Sequence, residues 1–419
     1  MKTLVVGTGG REHALALALS LDPAVTEVHA APGNPGIAAV ATLHDVDPMS
    51  GPAVAELAVS LGADLVVVGP EAPLVAGVAD VVRERGIAVF GPSGAAAQLE
   101  GSKAFSKDVM AVAGVPTARS FTCDTEAEVE AAFDELGAPY VVKDDALAAG
   151  KGVVVTRDRD EALAHARACG RVVVEEFLDG PEVSLFAICD GTTAYALQPA
   201  QDFKRIFDGG RGPNTGGMGS YTPLTWAQPD LASVVLDQVV HPTLAEMNRR
   251  GTPFVGCLYV GLALTAAGPR VIEFNVRFGD PDIQPVLAVL DSPLGVLLAA
   301  AAGGRLADVP APEFRGGAAV TVVLASAGYP ESSSKGDVIT GVEAAGETAD
   351  VIHAGTAVVD GSLVTAGGRV LAVRALGADV ASARAAAYAA ADHISFDGLQ
   401  RRTDIASEPL GVVEGASLR

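Results

Sequence analysis

Short apolar runs alternate with helical stretches over residues 1–100. Residues 3–6, 64–68 and 87–90 have the length of buried strands, and residues 13–20 are rich in alanine and leucine, which are strong helix formers. This alternation predicts βαβ units, so we expect a small, doubly wound α/β domain over residues 1–100. The loops GTGG, GPEAP and GPSG follow the three runs. Because ligands of open α/β sheets bind at the carboxyl ends of strands, these loops are predicted to form one rim.

Beyond residue 100 the apolar runs become shorter and more closely spaced. VVK, GKGVVV and VVVEEF, all within residues 141–177, are typical of antiparallel strands around a flexible loop. We therefore expect an α+β unit over residues 101–310, with a mobile lobe at about 116–182. The runs AAVTVVLAS and RVLAVRALG predict a smaller C-terminal α/β domain over residues 311–419, which ends in a frayed tail.

Composition and charge exclude several classes of protein. Of the 419 residues, 49% are apolar and 19% are charged, which indicates a globular protein. The chain has no uninterrupted apolar run of about 18 residues and no export signal, so we expect a cytoplasmic protein without a membrane span. The four cysteines are scattered and are predicted to be reduced thiols. A net charge of -22 would repel nucleic acid, so anionic ligands must meet local clusters of lysine and arginine.

The segment GTGGREH at residues 7–13 leaves a predicted strand and opens a helix. Backbone N–H groups and the helix dipole favour a phosphate or carboxylate at such a place, so the segment is a candidate anion site. Its spacing differs from GxGxxG, and no acidic residue follows at the distance that binds a ribose, which disfavours a dinucleotide. Glycines that serve close packing alone remain the alternative.

Three lysines are candidates for binding a polyphosphate. Lys151 lies in a glycine loop between two predicted strands, where it could fold over phosphates. The loop is not a Walker motif, because Gly152 and Val153 follow Lys151 in place of Ser or Thr. Lys143 ends the run YVVK, and Lys103 lies in EGSKAF. A plain hairpin turn and solvated surface lysines are the alternatives.

The run IEFNVRFGDP carries the most specific polar pattern. Glu273, Asn275 and Arg277 alternate with apolar residues, so on a strand they share one face. Two oxygen ligands at this spacing suit a magnesium ion bound together with nucleotide phosphates, and the guanidinium suits a phosphoryl group. An amphipathic strand with a solvated face is the alternative.

Two further runs supply polar groups. In VVVEEFLDGPEVS, Glu175, Glu176 and Glu182 could bind an adenine and a ribose, or they could be the acidic side of a hairpin. Residues 201–221 combine acidic and basic side chains with a glycine-rich loop, which is typical of loops that close over substrates. A surface Ω-loop is the alternative for this second run.

Together these runs resemble the phosphoribosylamine–glycine ligase family of ATP-grasp enzymes over almost the whole chain. The resemblance is carried by nine runs in the family's order: VVGTGGREHALA, APGNPGIA, VVVGPEAPLVAG, GPSGAAAQLEGSKAF, LAAGKGVVV, GPNTGGMGSY, EFNVRFGDPD, HAGT and TAGGRVLAV. It implies an N-terminal pre-ATP-grasp domain, a two-lobed ATP-grasp unit and a C-terminal domain. It also implies that glycine, ATP and 5-phosphoribosylamine give glycinamide ribonucleotide, ADP and phosphate through a glycyl phosphate, in purine biosynthesis.

The resemblance assigns roles to individual positions. The implied metal ligands for Mg²⁺ or Mn²⁺ are Glu273 and Asn275. The implied catalytic residues are Arg277, Lys143, Asp202 and Lys204. The implied ATP-binding residues are Lys103, Lys143, Gly150, Lys151, Gly152, Glu175, Glu176, Phe177, Leu178 and Glu182. The implied substrate-binding residues are Gly9, Gly10, Arg11, Glu12, Pro70, Glu71, Asn214, Gly216, Gly217, Met218, Gly219 and Asp280. The partners implied are small molecules alone, and we expect a monomer, with a weak dimer as the alternative.

The sequence departs from the family pattern beside two of these runs. Where the family has KADGLAAGKG, this chain has Asp144 and Ala146, and we expect the added carboxylate to weaken the hold of Lys143 on ATP. Reverting Asp144 to alanine would then lower the KM for ATP. Gly210 and Arg211 stand where an acidic residue followed by Lys or Thr is common, and Phe203 replaces a frequent histidine. These changes are expected to alter the mobility of the loop.

Three other functions compete with this interpretation. An ATP-grasp enzyme that carboxylates or formylates another substrate would share the EFNVR run, but not GTGGREH together with TAGGRVLAV. A nucleotide-binding protein without turnover is opposed by the intact Glu273, Asn275, Arg277 and Lys151. A dehydrogenase is disfavoured by the spacing of the first glycine loop.

Overall fold

The computed structural model describes residues 1–147 and 152–407. The predicted site residues Gly150 and Lys151 and the predicted C-terminal tail lie outside this part of the chain. Three layered α/β regions follow one another along the sequence, which confirms the predicted fold class.

The N-terminal region is a parallel five-stranded sheet with helices on its two faces. Its strands have the order β3-β2-β1-β4-β5, with bounds β1 Lys2–Gly7, β2 Glu27–Pro32, β3 Thr42–Leu43, β4 Leu65–Val68 and β5 Ala88–Phe90. Its helices are α1 Gly10–Ser20, α2 Gly51–Leu61, α3 Glu71–Val75 and α4 Val78–Glu84, with a 3₁₀ turn at Ile37–Ala39. The alanine- and leucine-rich stretch is therefore helical, as predicted. The carboxyl ends of β1, β4 and β5 lie on one edge, because these strands are parallel neighbours.

A small antiparallel sheet follows two connecting helices, α5 Gln98–Gly101 and α6 Lys103–Ala113. Its order is β6-β9-β7-β8, with bounds β6 Ser120–Cys123, β7 Tyr140–Asp144, β8 Val153–Thr156 and β9 Val172–Glu175. Two helices, α7 Glu126–Leu136 and α8 Arg159–Cys169, cover one face and enclose a separate apolar cluster around Phe133 and Val142. The opposite face of this sheet carries Lys143 toward the rest of the molecule.

The central sheet is antiparallel in the order β11-β10-β16-β17. Its strands are β10 Glu182–Asp190, β11 Ala194–Ala196, β16 Val255–Thr265 and β17 Gly268–Asn275. The helices of this region are α9 Leu231–Val235, α10 His241–Arg249, α11 Ile283–Val289 and α12 Leu294–Ala302, with a π turn at Leu236–Val240 and a 3₁₀ turn at Leu306–Asp308. The helix α12 contacts β5, β10 and β16, so the central sheet packs directly on the N-terminal region.

The third large sheet joins distant parts of the sequence in the order β12-β15-β18-β22-β19. Its strands are β12 Gln201–Asp202, β15 Gly219–Thr222, β18 Ala318–Ala325, β19 Asp350–His353 and β22 Arg369–Gly377. Two hairpins, β13 Arg205–Phe207 with β14 Arg211–Asn214 and β20 Thr356–Val359 with β21 Ser362–Thr365, flank it. The remaining helices are α13 Val342–Gly346 and α14 Val380–Ala391. The glycine-rich loop of residues 201–221 is therefore fixed at both ends to the C-terminal sheet. No helix in the described ranges is long and apolar enough to cross a membrane.

The hairpin turn of the glycine-rich loop is fixed to the C-terminal segment. Gly209 and Gly210 have φ values of 68° and 67°, a left-handed conformation typical of a tight hairpin turn. The N–H of Gly209 donates to Asp404 at 2.8 Å. Phe203 lies in the core, with the guanidinium of Arg402 5.0 Å from the centre of its ring. Phe203, the apolar residue at the position noted above, therefore serves packing.

Two buried histidines join the first helix to the C-terminal sheet. Nδ1 of His13 accepts a hydrogen bond of 2.7 Å from the backbone N–H of His353. Asn34 donates to the carbonyl of His353 at 2.9 Å. Burial lowers the pKa of His13 to about 3 and that of His353 to about 4, so both rings are neutral at physiological pH.

We expect this contact to weaken in mild acid. The pKa values in the folded chain lie below the usual value of 6.5, so the unfolded chain binds more protons and stability falls as the pH drops below about 6.5. At about pH 5 each histidine would cost about 2 kcal/mol. In H13N the amide oxygen can still accept from His353 without titrating, so the free energy of unfolding lost between neutral pH and about pH 5 would be smaller by about 2 kcal/mol. An unchanged loss would contradict this assignment.

Candidate active site

The carboxyl end of β17 carries Glu273 and Asn275 on one side of the central sheet, as their spacing predicted. A β-bulge in the pairing of β16 with β17 leaves Ile272 without a direct partner. The carbonyl oxygen of Ile272 accepts a hydrogen bond of 2.8 Å from Nζ of Lys143. The bulge thus brings an ammonium group from the small antiparallel sheet to the backbone directly before Glu273.

Arg277 follows the end of β17 and binds two carboxylates. Its Nε lies 3.2 Å from Oε2 of Glu71, and its Nη2 lies 2.9 Å from Oε1 of Glu100. Burial alone would lower the pKa of Arg277, but Glu100 and Glu71 raise it above its usual value. The guanidinium is therefore permanently charged and links the N-terminal rim to the central sheet.

Glu100 holds the end of β17 in place, although the sequence analysis did not single it out. Its Oε2 accepts from the backbone N–H of Val276 at 2.8 Å. The Asn275 amide is assigned with its nitrogen donating to Oε1 of Glu100 at 3.0 Å, which leaves the amide oxygen for another partner. Burial raises the pKa of Glu100 against the opposing effect of Arg277. For Glu71, burial acts in the same direction, but Arg277 and Arg11 hold the pKa below its usual value.

Lys143 shares a carboxylate with a second lysine. Oε2 of Glu175 lies 3.1 Å from Nζ of Lys143 and also 3.1 Å from Nζ of Lys107. All three side chains are buried. Lys107 also donates to Oγ1 of Thr117 at 2.9 Å. Lys143 and Glu175 were predicted as site residues, but Lys107 was not. Its sequence signal is its position four residues after Lys103 on α6.

The glutamates at and after the end of β9 contact different basic residues. Glu176 accepts from the backbone N–H of Arg119 at 2.9 Å and lies 3.0 Å from Arg270. Phe177 is 41% exposed, and Leu178 is partly buried. Glu182 lies at the start of β10, where its Oε2 contacts Nζ of Lys204 at 2.9 Å. Of the three predicted glutamates, Glu182 lines a cleft. Lys204, Asp202 and Tyr259 line the same cleft.

The carboxyl group of Asp202, which lines the cleft, lies close enough to the buried Asp282 to be repelled by it. Burial and mutual repulsion raise the pKa of Asp202, and burial raises that of Asp282. Asp282 accepts from Oγ of Ser184 at 2.7 Å, whereas Oδ1 of Asp202 has no hydrogen-bond partner among the described residues. Gly217 has a φ of 109°, and a Cβ there would lie 2.6 Å from Oδ1 of Asp202. The glycine therefore allows its loop to approach the carboxylate.

The GTGGREH loop is largely occupied by its own side chains. Gly9 caps α1, and its N–H donates to Oε2 of Glu12 at 2.5 Å. Arg11 contacts Oε1 of Glu12 at 2.6 Å and donates to the carbonyl of Phe278 at 3.2 Å. Glu12 and Arg11 are both buried. The predicted anion site at Gly9 and Gly10 therefore has one backbone donor fewer for a ligand, because the N–H of Gly9 already donates to the Glu12 carboxylate.

Arg369 connects the C-terminal sheet to the substrate residues. Its guanidinium donates to the carbonyl oxygens of Gly216 and Asp280 and lies 3.1 Å from Oδ2 of Asp280. Met218 is fully buried beneath this region, and Asn214 lies on β14. Arg369 lies in the run TAGGRVLAV, and no role was predicted for it from the sequence. The contact between Arg369 and Asp280 could not be predicted, because the two residues are far apart in the sequence.

Lys103 contacts the segment that follows β7, and Asp144 does not lie beside Lys143 as its sequence context suggested. Lys103 donates to the carbonyl of Ala146 at 3.1 Å. Asp144 lies on the face of β7 that carries Val142, toward Cys169 on α8, because successive side chains of a strand alternate. Its carboxylate is therefore on the opposite face from Lys143, and the expected weakening of that lysine loses its geometric basis.

The reversion D144A is accordingly expected to change the KM for ATP by less than about twofold, since charges on the far face are screened by solvent. Steady-state kinetics at saturating concentrations of the other substrates would measure this. D145A provides a contrast, because Asp145 accepts from Oγ of Ser102 at 3.0 Å and from the N–H of Ala104 at 2.9 Å. A large fall in the KM for ATP in D144A would instead support the expectation that Asp144 weakens the hold of Lys143 on ATP.

Profiles of one family match the three regions of this chain in order. The N domain of phosphoribosylglycinamide synthetase matches residues 1–100, its ATP-grasp (A) domain matches 101–283, and its C domain matches 319–408. The chain belongs to the phosphoribosylglycinamide synthetase family. This membership confirms the resemblance that the nine sequence runs predicted.

Individual relatives agree with this family over nearly the whole chain. A phosphoribosylamine–glycine ligase of Streptomyces coelicolor is 63% identical and covers 98% of this chain and 100% of its own length. That of Leifsonia xyli is 56% identical, with 97% and 100% covered. The crystal structure of the Thermotoga maritima phosphoribosylamine–glycine ligase is 34% identical, with a TM-score of 0.84 and 97% and 100% covered. A biotin carboxylase domain of Hydrogenobacter thermophilus, 17% identical with a TM-score of 0.72 and 96% and 91% covered, shares the fold.

Proposed function

We propose that this chain is the ligase that joins glycine to 5-phosphoribosylamine, with ATP converted to ADP and phosphate. A glycine carboxylate oxygen attacks the γ-phosphorus, and ADP leaves. The amine nitrogen of phosphoribosylamine then attacks the acyl carbon of glycyl phosphate, the amine loses a proton, and phosphate leaves. The observation that carries this proposal is the convergence of Lys143, Glu273, Asn275 and Arg277 at one strand end, in a chain matched throughout by this family.

The chain's own groups supply positioning and charge for both steps. Lys143 would bind the phosphates of ATP, and Arg277 would stabilise the phosphoryl group that is transferred, since such transfers depend on fixed charges more than on covalent catalysis. Phe177, Leu178 and Glu182 would lie beside the adenine and ribose, whereas Glu175 and Glu176 would act on the ATP site through their ion pairs with Lys143 and Arg270. The substrates would lie between Arg11, Glu71, Asp280 and the loop of Asn214 to Gly219, where water is excluded from the acyl phosphate.

The donor set at the end of β17 fits a divalent cation. Glu273 offers a carboxylate, and the orientation of Asn275 leaves its amide oxygen as a second ligand. Within the described ranges no group of three His, Cys, Asp or Glu side chains is arranged to hold a metal. Mg²⁺ commonly takes one or two protein ligands plus substrate phosphates, so Glu273 and Asn275 would be sufficient. Mg²⁺ or Mn²⁺ held there would neutralise charge on the phosphates of ATP.

We further propose domain limits, a cellular location and an assembly state for this chain. We place the domains at residues 1–100, 101–310 and 311–419, with a mobile lobe at about 116–182. The separate apolar cluster of that lobe supports its independent movement. We also expect a monomer in the cytoplasm, with small molecules as its only partners.

The deciding experiment measures phosphate release from ATP by the purified chain with magnesium, with glycine, phosphoribosylamine or both added. Release that requires both substrates and yields the mass of glycinamide ribonucleotide is expected. Release with another acid or amine in a substrate panel would instead favour a different ATP-grasp reaction. ATP binding without release under any condition would favour a nucleotide-binding protein without turnover.

A further inference from the structure

Lys107 is the buried cation of the ATP-grasp region that the proposed reaction leaves without a task. Its side chain is 9% exposed, and its Nζ contacts Oε2 of Glu175 at 3.1 Å. The ammonium is anchored by Oγ1 of Thr117 at 2.9 Å and by the carbonyl of Ala118 at 3.4 Å. Thr117 in turn donates to the carbonyl of Val271 on β17 at 2.6 Å. Lys107 is therefore fixed to the central sheet independently of Lys143.

The same oxygen atom of Glu175 forms ion pairs with two ammonium groups. Without Lys107, Glu175 and Lys143 would form a simple buried ion pair of zero net charge. Withdrawing Lys143 toward a phosphate would then leave a buried carboxylate unpaired, which is costly. With Lys107 present, the three groups carry a net charge of +1, and Glu175 keeps a partner when Lys143 moves.

We propose that Lys107 is a positioning residue for ATP: by holding Glu175, it releases Lys143 to bind the phosphates. This inference rests on the proposed function, because it requires that ATP binds at Lys143. Lys107 itself is buried against Glu175 and would not touch the nucleotide. Its role is to keep a positive charge available at the phosphate site without the cost of an unpaired carboxylate.

The test is a charge-compensation cycle on the full chain, with ATP and magnesium as the probe in calorimetry and in the ligation assay. K107M would weaken ATP binding about tenfold, since the net charge of the cluster falls from +1 to 0. The double variant K107M/E175Q returns the charge to +1 and would regain most of this loss. K107R keeps the charge and would stay within about threefold of the wild type. K335M, at an exposed lysine, is the matched control and would bind as the wild type does.

A pH profile separates this role from a purely structural one. Burial lowers the pKa of Lys107 to about 8, with Glu175 of β9 opposing the shift and Lys143 of β7 and Arg270 of β17 adding to it. In the wild type, KM for ATP would rise above about pH 8 as Lys107 loses its proton. In K107R the guanidinium does not titrate in this range, so the rise would be absent.

Two results would overturn the inference. One is ATP binding by folded K107M equal to that of the wild type. The other is a loss in K107M that E175Q does not restore, which would indicate a packing defect. If K107M does not fold, ATP binding by K107R and by K107M/E175Q still tests the inference. A wild type that binds no ATP would refute the proposed function instead, whereas a wild type that ligates while K107M binds normally would refute this inference alone.

Discussion

E273Q is expected to lower kcat/KM by about 100- to 1000-fold, because a bound metal supplies several kcal/mol of charge stabilisation to phosphoryl transfer. Glutamine keeps the shape of the side chain but removes the anionic ligand at the end of β17. Asn275 alone would bind magnesium weakly, so the magnesium concentration for half-maximal rate would rise. Phosphate release measured over a range of magnesium concentrations would separate this effect from a change in ATP affinity.

E56Q makes the same chemical change at an exposed position of α2 and controls for the lost charge. Its rate and magnesium dependence would equal those of the wild type. Because no described residue hydrogen bonds to the Glu273 carboxylate, E273Q would also keep the wild-type melting temperature. An E273Q variant with normal activity and unchanged magnesium dependence would place the metal elsewhere.

R277M is expected to lose both activity and stability. Its removal leaves Glu71 and Glu100 without their partner, and breaking a buried ion pair costs about 3–5 kcal/mol. Loss of a charge that acts on the transferred phosphoryl group would lower kcat by about 100-fold or more. Urea unfolding followed by circular dichroism would measure the first effect, and single-turnover phosphate release would measure the second.

The double variant R277M/E100Q separates these two losses. The neutral amide that replaces the Glu100 carboxylate no longer needs a cationic partner, so about half of the lost stability would return, while the rate would stay low. R277K provides a second comparison, because lysine keeps the charge but cannot bind Glu71 and Glu100 through the two ends of a planar group. Full recovery of the rate in R277M/E100Q would show that Arg277 acts only as a structural link.

Local features of the fold were predicted correctly from the sequence, whereas contacts between distant residues were not. The alternation of apolar runs predicted the parallel N-terminal sheet, and the spacing of Glu273 and Asn275 predicted their common face, because both follow from the periodicity of a strand. Lys107, Glu100 and Arg369 were not predicted. Their partners Glu175, Arg277 and Asp280 are distant in sequence, and a single chain carries no signal of such pairing.

Asp144 shows why neighbours in sequence can be misleading. It follows Lys143 directly, which suggested a charge–charge contact, but adjacent residues of a strand point to opposite faces. The glycine-rich loop is a second case in which sequence order did not indicate the contacts. It lies within the region matched by the ATP-grasp domain, yet β12 and β15 form hydrogen bonds within the C-terminal sheet.

The sequence by itself determined several strands, the first helix, the candidate cations and oxygen ligands, and the family, because these depend on local periodicity and on ordered runs of residues. Only the tertiary structure decided how the charges are shared. Lys143 binds Glu175 together with Lys107, Arg277 binds Glu71 and Glu100, and Arg369 binds Asp280. The physical reason is that burial makes each unpaired charge costly, so the fold must bring together opposite charges from distant segments.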